Sequence, residues 1–328
     1  MAALRRRDVL AAGILATGIL DLALPRPARA APVVRSLDPR FAAVVDPASR
    51  LEMIYTGGRW CEGLCPAPHL GGLVFSDVKA NRICVLSDDG RARPFRDPSN
   101  NANGNALDRE GRLVTCEHRG RRVVRREPDG RLTVLADSFA GKPLNSPNDA
   151  VLGPDGAIWF TDPVFGIRLP DEGVMAEPAQ RARRVYRVVE PGRVEAMTDA
   201  ADQPNGLAFA PDGRTFYLSD AGAALQPEGA RAILAFPVGP DHRLGAPRRF
   251  AEIETGAPDG LAIDAEGRLY AACEDGVRVF DPDGTWLGSI ATPRAAANVA
   301  LGGPDRCRLT VTAGPAIHAI DLKVAGAG

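Results

Sequence analysis

The chain has 328 residues, 45% of them hydrophobic and 25% charged, and a formal net charge of −1. That is ordinary globular composition, and a charge so near zero excludes a reading built on attraction to nucleic acid or to an anionic membrane. Glycine (35) and proline (28) make up nearly a fifth of the residues, which favours many turns and short strands over long helices.

The chain opens on Arg5-Arg6-Arg7-Asp8-Val9-Leu10, a twin-arginine run leading into an apolar stretch from Val9 to Leu20. That stretch is too short to span a bilayer. Ala28-Arg29-Ala30 is a small-x-small cleavage signal. Residues 1–30 are read as a twin-arginine export signal cut after Ala30. The expectation is a periplasmic or secreted domain over 31–328, free of the membrane once the signal is removed. A monomer or small homo-oligomer is expected.

Residues 51–57, Leu-Glu-Met-Ile-Tyr-Thr-Gly, are strand-like. After them a unit recurs. Its clear copies are Asn103-Gly-Asn-Ala-Leu-Asp-Arg-Glu-Gly111, Asn148-Asp-Ala-Val-Leu-Gly-Pro-Asp-Gly156, Asn205-Gly-Leu-Ala-Phe-Ala-Pro-Asp-Gly213 and Asp259-Gly-Leu-Ala-Ile-Asp-Ala-Glu-Gly267. In each, an acid or amide stands eight positions before a turn glycine. Weaker copies are Glu62-Gly-Leu-Cys65 and Asn298-Val-Ala-Leu-Gly-Gly-Pro-Asp305. Second strands follow the glycines at 112–116, 157–161, 214–218 and 268–272. Further strands are predicted at 121–125, 132–135 and 232–236, with Pro128-Asp-Gly130 and Pro282-Asp-Gly284 as outer hairpins. The only helix-like run is Met175 to Arg184, read as a loop insertion.

The turn glycines 111, 156, 213 and 267 are 45, 57 and 54 residues apart. Such periods, with about four strands each, predict an all-β, six-bladed β-propeller. Residues 51–57 are expected to complete the last blade, which removes the open sheet edge.

In a propeller the innermost strands line a central channel. Glu62, Asn148, Asn205 and Asp259 would then converge at one mouth. Two carboxylates and two amide oxygens suit a hard divalent cation, Ca²⁺ ahead of Mg²⁺, Mn²⁺ or Zn²⁺. The competing view is that Asn-Gly and Asp-Gly are only turn dipeptides. It does not explain polar residues placed before the inner strand as well as at the turn. The six cysteines, at 61, 65, 84, 116, 273 and 307, form no CxxC pair, so a thiolate metal site is not indicated. Pairing is left open, except that Cys61 and Cys65 in one strand would lie roughly 13 Å apart, too far to bridge.

The stretches Trp60-Cys-Glu-Gly63, Asn145-Ser-Pro-Asn-Asp149, Phe160-Thr-Asp-Pro163, Gln203-Pro-Asn-Gly206 and Ala257-Pro-Asp-Gly260 resemble the SMP-30/gluconolactonase/luciferin-regenerating-enzyme family. Arg112-Leu-Val-Thr-Cys-Glu-His118 and Gly302-Gly-Pro-Asp305 resemble its bacterial gluconolactonase branch. The resemblance covers roughly residues 40–325. It implies a six-bladed propeller, one divalent cation in the channel, and hydrolysis of sugar lactones such as glucono-1,5-lactone. The family's metal ligands carry over to Glu62, Asn148, Asn205 and Asp259.

Asp259 is the first candidate for general base, with His118 or Glu117 as rivals that would leave Asp259 a ligand only. His118 either steers substrate and moves protons or is a satisfied histidine. Asn103 and Asn298 complete the ring and are candidates to bind sugar hydroxyls. Trp60 either walls the pocket or belongs to the core. Asp162 and Asp220 read as strand-end turn residues rather than catalysts. No Gly-x-Ser-x-Gly elbow is present, so serine-hydrolase chemistry has no support. The alternatives are a propeller that binds a partner around a structural cation, and a hydrolase of another ester or a phosphotriester.

Overall fold

A computed structural model describes residues 32–327; the twin-arginine segment lies outside the described residues. The strands start where the turn chemistry places them. At the first clear repeat, the Gly111 amide bonds the Asp108 carbonyl at 2.9 Å. The Asp108 carboxylate accepts from the Glu110 and Arg112 amides at 3.1 and 2.8 Å, and its other oxygen takes the Arg112 guanidinium at 2.7 Å. Gly111 has φ +75°, a conformation glycine adopts without steric cost. Arg112 is thus held by the turn, and the strand begins at Leu113. The same one-residue delay puts the other second strands at Ile158, Thr215 and Leu269.

Six antiparallel sheets of four or five strands follow one another, with a separate two-stranded hairpin of Ser138–Phe139 and Lys142–Pro143. Their innermost strands are Cys61–Ala67, Ala102–Leu107, Ala150–Leu152, Pro204–Phe209, Leu261–Ile263 and Asn298–Gly302. Each packs against the next, and the last against the first, so the sheets are six blades around a channel. The sixth blade is completed by Glu52–Thr56, with Glu52 opposite Ala319, as expected of residues 51–57. One feature was not anticipated. Val34–Ser36 adds a fifth strand to blade five, with Val34 opposite Ile290; a three-residue strand carries too little alternation to read.

Apolar side chains fill the spaces between blades. Between blades three and four, the Trp159 ring lies 5.1 Å from Phe209, edge-on, and 5.5 Å from Phe216. The run from Met175 lies in a loop insertion, as read from the sequence, and its last residue, Arg184, opens the next strand. Pro178 keeps this run from becoming helical, because it removes an amide donor and drives Glu177 out of the helical region. Among the described residues the one α-helical turn is Phe165–Arg168. Residues 163–183 instead form a long connection between the second and third strands of blade three, called the strap below. All six cysteines are free, five of them buried and Cys307 half-buried.

Candidate active site

The start of each inner strand faces the channel mouth, and there the acids and amides of the repeat come together. Glu62, Asn103, Asn148, Asn205 and Asn298 are buried, while Asp259 keeps partial exposure. In four blades the next residue is glycine: Gly63, Gly104, Gly206 and Gly260. A side chain there would strike the following blade, at the Asn103 carbonyl, the Asn148 carbonyl, the Asp259 carbonyl and the Asn298 amide respectively. The glycines therefore let the inner strands approach closely enough for their polar residues to meet.

Blade three breaks this pattern with Asp149, a residue that sequence reasoning missed. The visible signal was the replacement of Asn-Gly by Asn-Asp. Burial pushes Asp149 up to about 7. A further acid, Glu172, comes from the strap, where no repeat could announce it. Its carboxylate lies 3.5 Å from the Lys79 ammonium. Burial raises Glu172, opposed by that lysine.

These acids define the electrostatics of the mouth. Burial, then Asp259, Asp149 and Glu172, push Glu62 well above the usual carboxylate range. Burial, then Asp149 and Glu172, do the same to Asp259, partly offset by a hydrogen bond with Asn205. Among the described residues, the main groups that raise or lower the two include no lysine or arginine. Buried negative charge without a counter-charge is costly in a protein interior. Two such carboxylates beside Asn148 and Asn205 are a donor set of hard oxygens, which fits a divalent cation of the calcium type. Among the described residues no three His, Cys, Asp or Glu side chains form a metal-binding cluster, so such a site must draw on the amides.

His118 is fully buried at the end of the second strand of blade two. Its Nε2 is 3.3 Å from the amide nitrogens of both Asn103 and Asn148, and its Nδ1 is 3.0 Å from the Glu172 carbonyl oxygen. Burial lowers it to about 4, against a smaller opposing effect of the Glu172 carbonyl, so the ring is neutral at ordinary pH. Glu117 is engaged elsewhere. Its carboxylate pairs with Arg96 at 2.9 Å and Arg122 at 2.7 Å, and accepts from Asn100 at 3.1 Å. It is also absent from the acids that raise Glu62 and Asp259.

Equivalent strand-end acids hold the loops that lead into the inner strands. Asp162 accepts the Asn145 and Ser146 amides, both at 2.8 Å, and Asp220 accepts those of Asp202 and Gln203. Asn298 spends its Oδ1 on the Leu64 amide at 3.1 Å. Trp60 is half-buried beneath the Lys79 ammonium, 4.8 Å from the ring centroid. The strap crosses from blade three toward blades one and two. Besides Glu172, it places the Asp171 carbonyl 3.3 Å from the Asn101 amide nitrogen and the Asp171 carboxylate 3.7 Å from Arg59.

A closed six-bladed propeller with an oxygen-lined, acid-rich channel mouth is the class of protein that fold and site define. The chain belongs to the SMP-30/gluconolactonase/LRE-like family, whose model matches residues 60–314. It is 30% identical over 285 residues to a gluconolactonase of Zymomonas mobilis, covering 79% of this chain and 77% of the relative. It is 28% identical over 272 residues to a pentonolactonase of Haloferax volcanii, covering 79% and 83%. Among solved structures, a gluconolactonase from Xanthomonas campestris superposes with a TM-score of 0.81 at 39% identity, over 88% of this chain and 94% of that one.

Proposed function

We propose that this chain is a hydrolase of sugar lactones, glucono-1,5-lactone among them, that depends on one divalent cation held by Glu62, Asn148, Asn205 and Asp259. The carrying observation is that buried Glu62 and half-buried Asp259 stand at one channel mouth with the Asn148 and Asn205 amides, where neighbouring acids raise both carboxylates. Ca²⁺ is the first candidate, because two carboxylates and two amides offer hard oxygens in number and charge that suit it. A bound cation would polarise the lactone carbonyl and stabilise the negative charge that develops on its oxygen.

The chain's own residues divide the remaining work. Glu62 and Asp259 supply charge, and Asn148 and Asn205 supply neutral oxygens. Asp259 is also the general base, taking a proton from the attacking water. Of the two ligand carboxylates it is the one that keeps partial exposure, so an attacking water can reach it. Glu117 is committed to Arg96 and Arg122. Lys79 over Trp60, and the amide of Asn103, face the hydroxyls of the sugar. The strap shields the mouth from bulk water.

The test is hydrolysis of glucono-1,5-lactone followed by acid release, in chelator and after Ca²⁺ is restored. Activity that chelator leaves untouched rejects the cation. No activity on any aldonolactone rejects the substrate class. Export by the twin-arginine segment is a separate part of the proposal. Replacing Arg6 and Arg7 by Lys should trap active protein in the cytoplasm, and an unchanged periplasmic yield would count against it.

A further inference from the structure

We infer that His118 is a positioning residue: it fixes which way the Asn148 amide faces the cation, and it ties that orientation to the strap. The inference rests on the cation reading above. It follows from which groups can donate and which can only accept. The Glu172 carbonyl oxygen, 3.0 Å from Nδ1, has no proton to give. His118 must therefore carry its proton on Nδ1 and donate it to the strap. Two amide nitrogens face Nε2 at 3.3 Å, so Nε2 is the accepting nitrogen, with a lone pair and no hydrogen. The two amides, those of Asn103 and Asn148, can satisfy it only with their NH₂ groups. An amide turned the other way would set an oxygen lone pair against a nitrogen lone pair in a buried place, which is costly.

The covalent shape of a carboxamide completes the argument. Its oxygen and nitrogen diverge from one carbon, so holding the nitrogen against His118 directs Oδ1 of Asn148 away from the imidazole. An asparagine is a useful cation ligand only through that oxygen. Without a partner such as His118, the amide of the metal-free site could turn its NH₂ toward the mouth about as readily as its oxygen, and an arriving cation would have to reorient it. Residues that hydrogen-bond a ligand's far side commonly set its orientation in this way.

The same chain of contacts runs outward. The strap reaches His118 through the Glu172 carbonyl, and the strap is itself held by Lys79 at the Glu172 carboxylate, 3.5 Å, and by Asn101 at the Asp171 carbonyl, 3.3 Å. A strap displaced from His118 no longer selects the Nδ1–H form. The imidazole can then move its proton to Nε2, where it repels the two NH₂ groups. Cation affinity and strap position are therefore linked through one tautomer.

Two substitutions separate the two halves of the device. His118→Gln places an amide oxygen near the position of Nε2, so it keeps an acceptor for Asn103 and Asn148 and loses the strap contact. His118→Asn places a donor near the position of Nδ1, so it keeps the strap contact and loses the acceptor. Ca²⁺ is titrated calorimetrically into metal-stripped protein. His118→Gln is expected to stay within about threefold of the wild-type affinity, whereas His118→Asn loses about tenfold or more. Equal losses, or the reverse order, overturn the inference.

A second measurement needs no variant. Nitrogen-15 spectra of the imidazole in the wild type should show a neutral Nδ1–H ring, and an Nε2–H ring overturns the inference. The two levels of reading fail differently. A wild type that takes up no divalent cation rejects the proposed function and this inference with it. A wild type that binds Ca²⁺ while the two variants fail to separate rejects the inference alone.

Discussion

The side-chain oxygen of Asn298 accepts the backbone amide of Leu64 at 3.1 Å, with both residues buried. This bond joins the inner strand of blade six to that of blade one, across the seam where the ring closes. Asn298→Ala leaves the Leu64 amide without a partner, at a cost of about 1–3 kcal/mol. A lowered melting temperature with KM for the lactone unchanged is the expected result. A raised KM at unchanged stability would instead return Asn298 to the substrate.

Glu62→Gln tests the charge of the proposed cation site. The variant keeps an oxygen and the volume but removes one of two formal charges offered to a hard cation. Asn103 lies in the same ring but outside the proposed ligand set. Ca²⁺ affinity should therefore fall further in Glu62→Gln than in Asn103→Ala. Equal losses by calorimetry mean that Asn103 is itself a ligand.

Asp259→Asn separates ligation from proton transfer. Asparagine retains an oxygen donor and cannot take a proton at neutral pH. With Asp259 as base, kcat falls by about 10² or more even when Ca²⁺ saturates the site. Recovery of the wild-type rate in excess Ca²⁺ leaves Asp259 a ligand only and passes the base role to another group.

A pH prediction concerns His318, far along the chain in the third strand of blade six, Ala316–Asp321. It is buried, its Nδ1 has no partner, and burial lowers its pKa from the usual 6.5. The folded state therefore holds fewer protons on this residue than the unfolded state once the pH drops below about 6.5. The stability it contributes is present above that pH and is lost as the pH falls. His318→Phe removes the titration, so its melting temperature should fall less between pH 7 and pH 5 than that of the wild type. Parallel losses in the two proteins would show that other groups govern the acid limb.

Much of the architecture is legible in the sequence because its causes are local. An Asp-x-x-Gly turn such as Asp108–Gly111 closes on its own backbone and side chain, so each repeat announces a strand pair wherever it occurs. Repetition then places Glu62, Asn148, Asn205 and Asp259 at equivalent points of successive blades, and ring closure brings them to one mouth. Even the assignment of Glu52–Thr56 to the last blade follows, since an unpaired strand at each end has one place to go.

The tertiary structure alone decided what each polar residue does there. Glu117 and His118 are neighbours in sequence. One is consumed by Arg96 and Arg122, while the other sits between two ring amides and a carbonyl 54 residues away. Glu172 reaches the mouth only because the strap folds back across the blades, and Val34–Ser36 finds blade five by a pairing some 250 residues distant. Such contacts leave no period and no spacing in the chain. They are set by the packing of segments that meet only after the ring has closed.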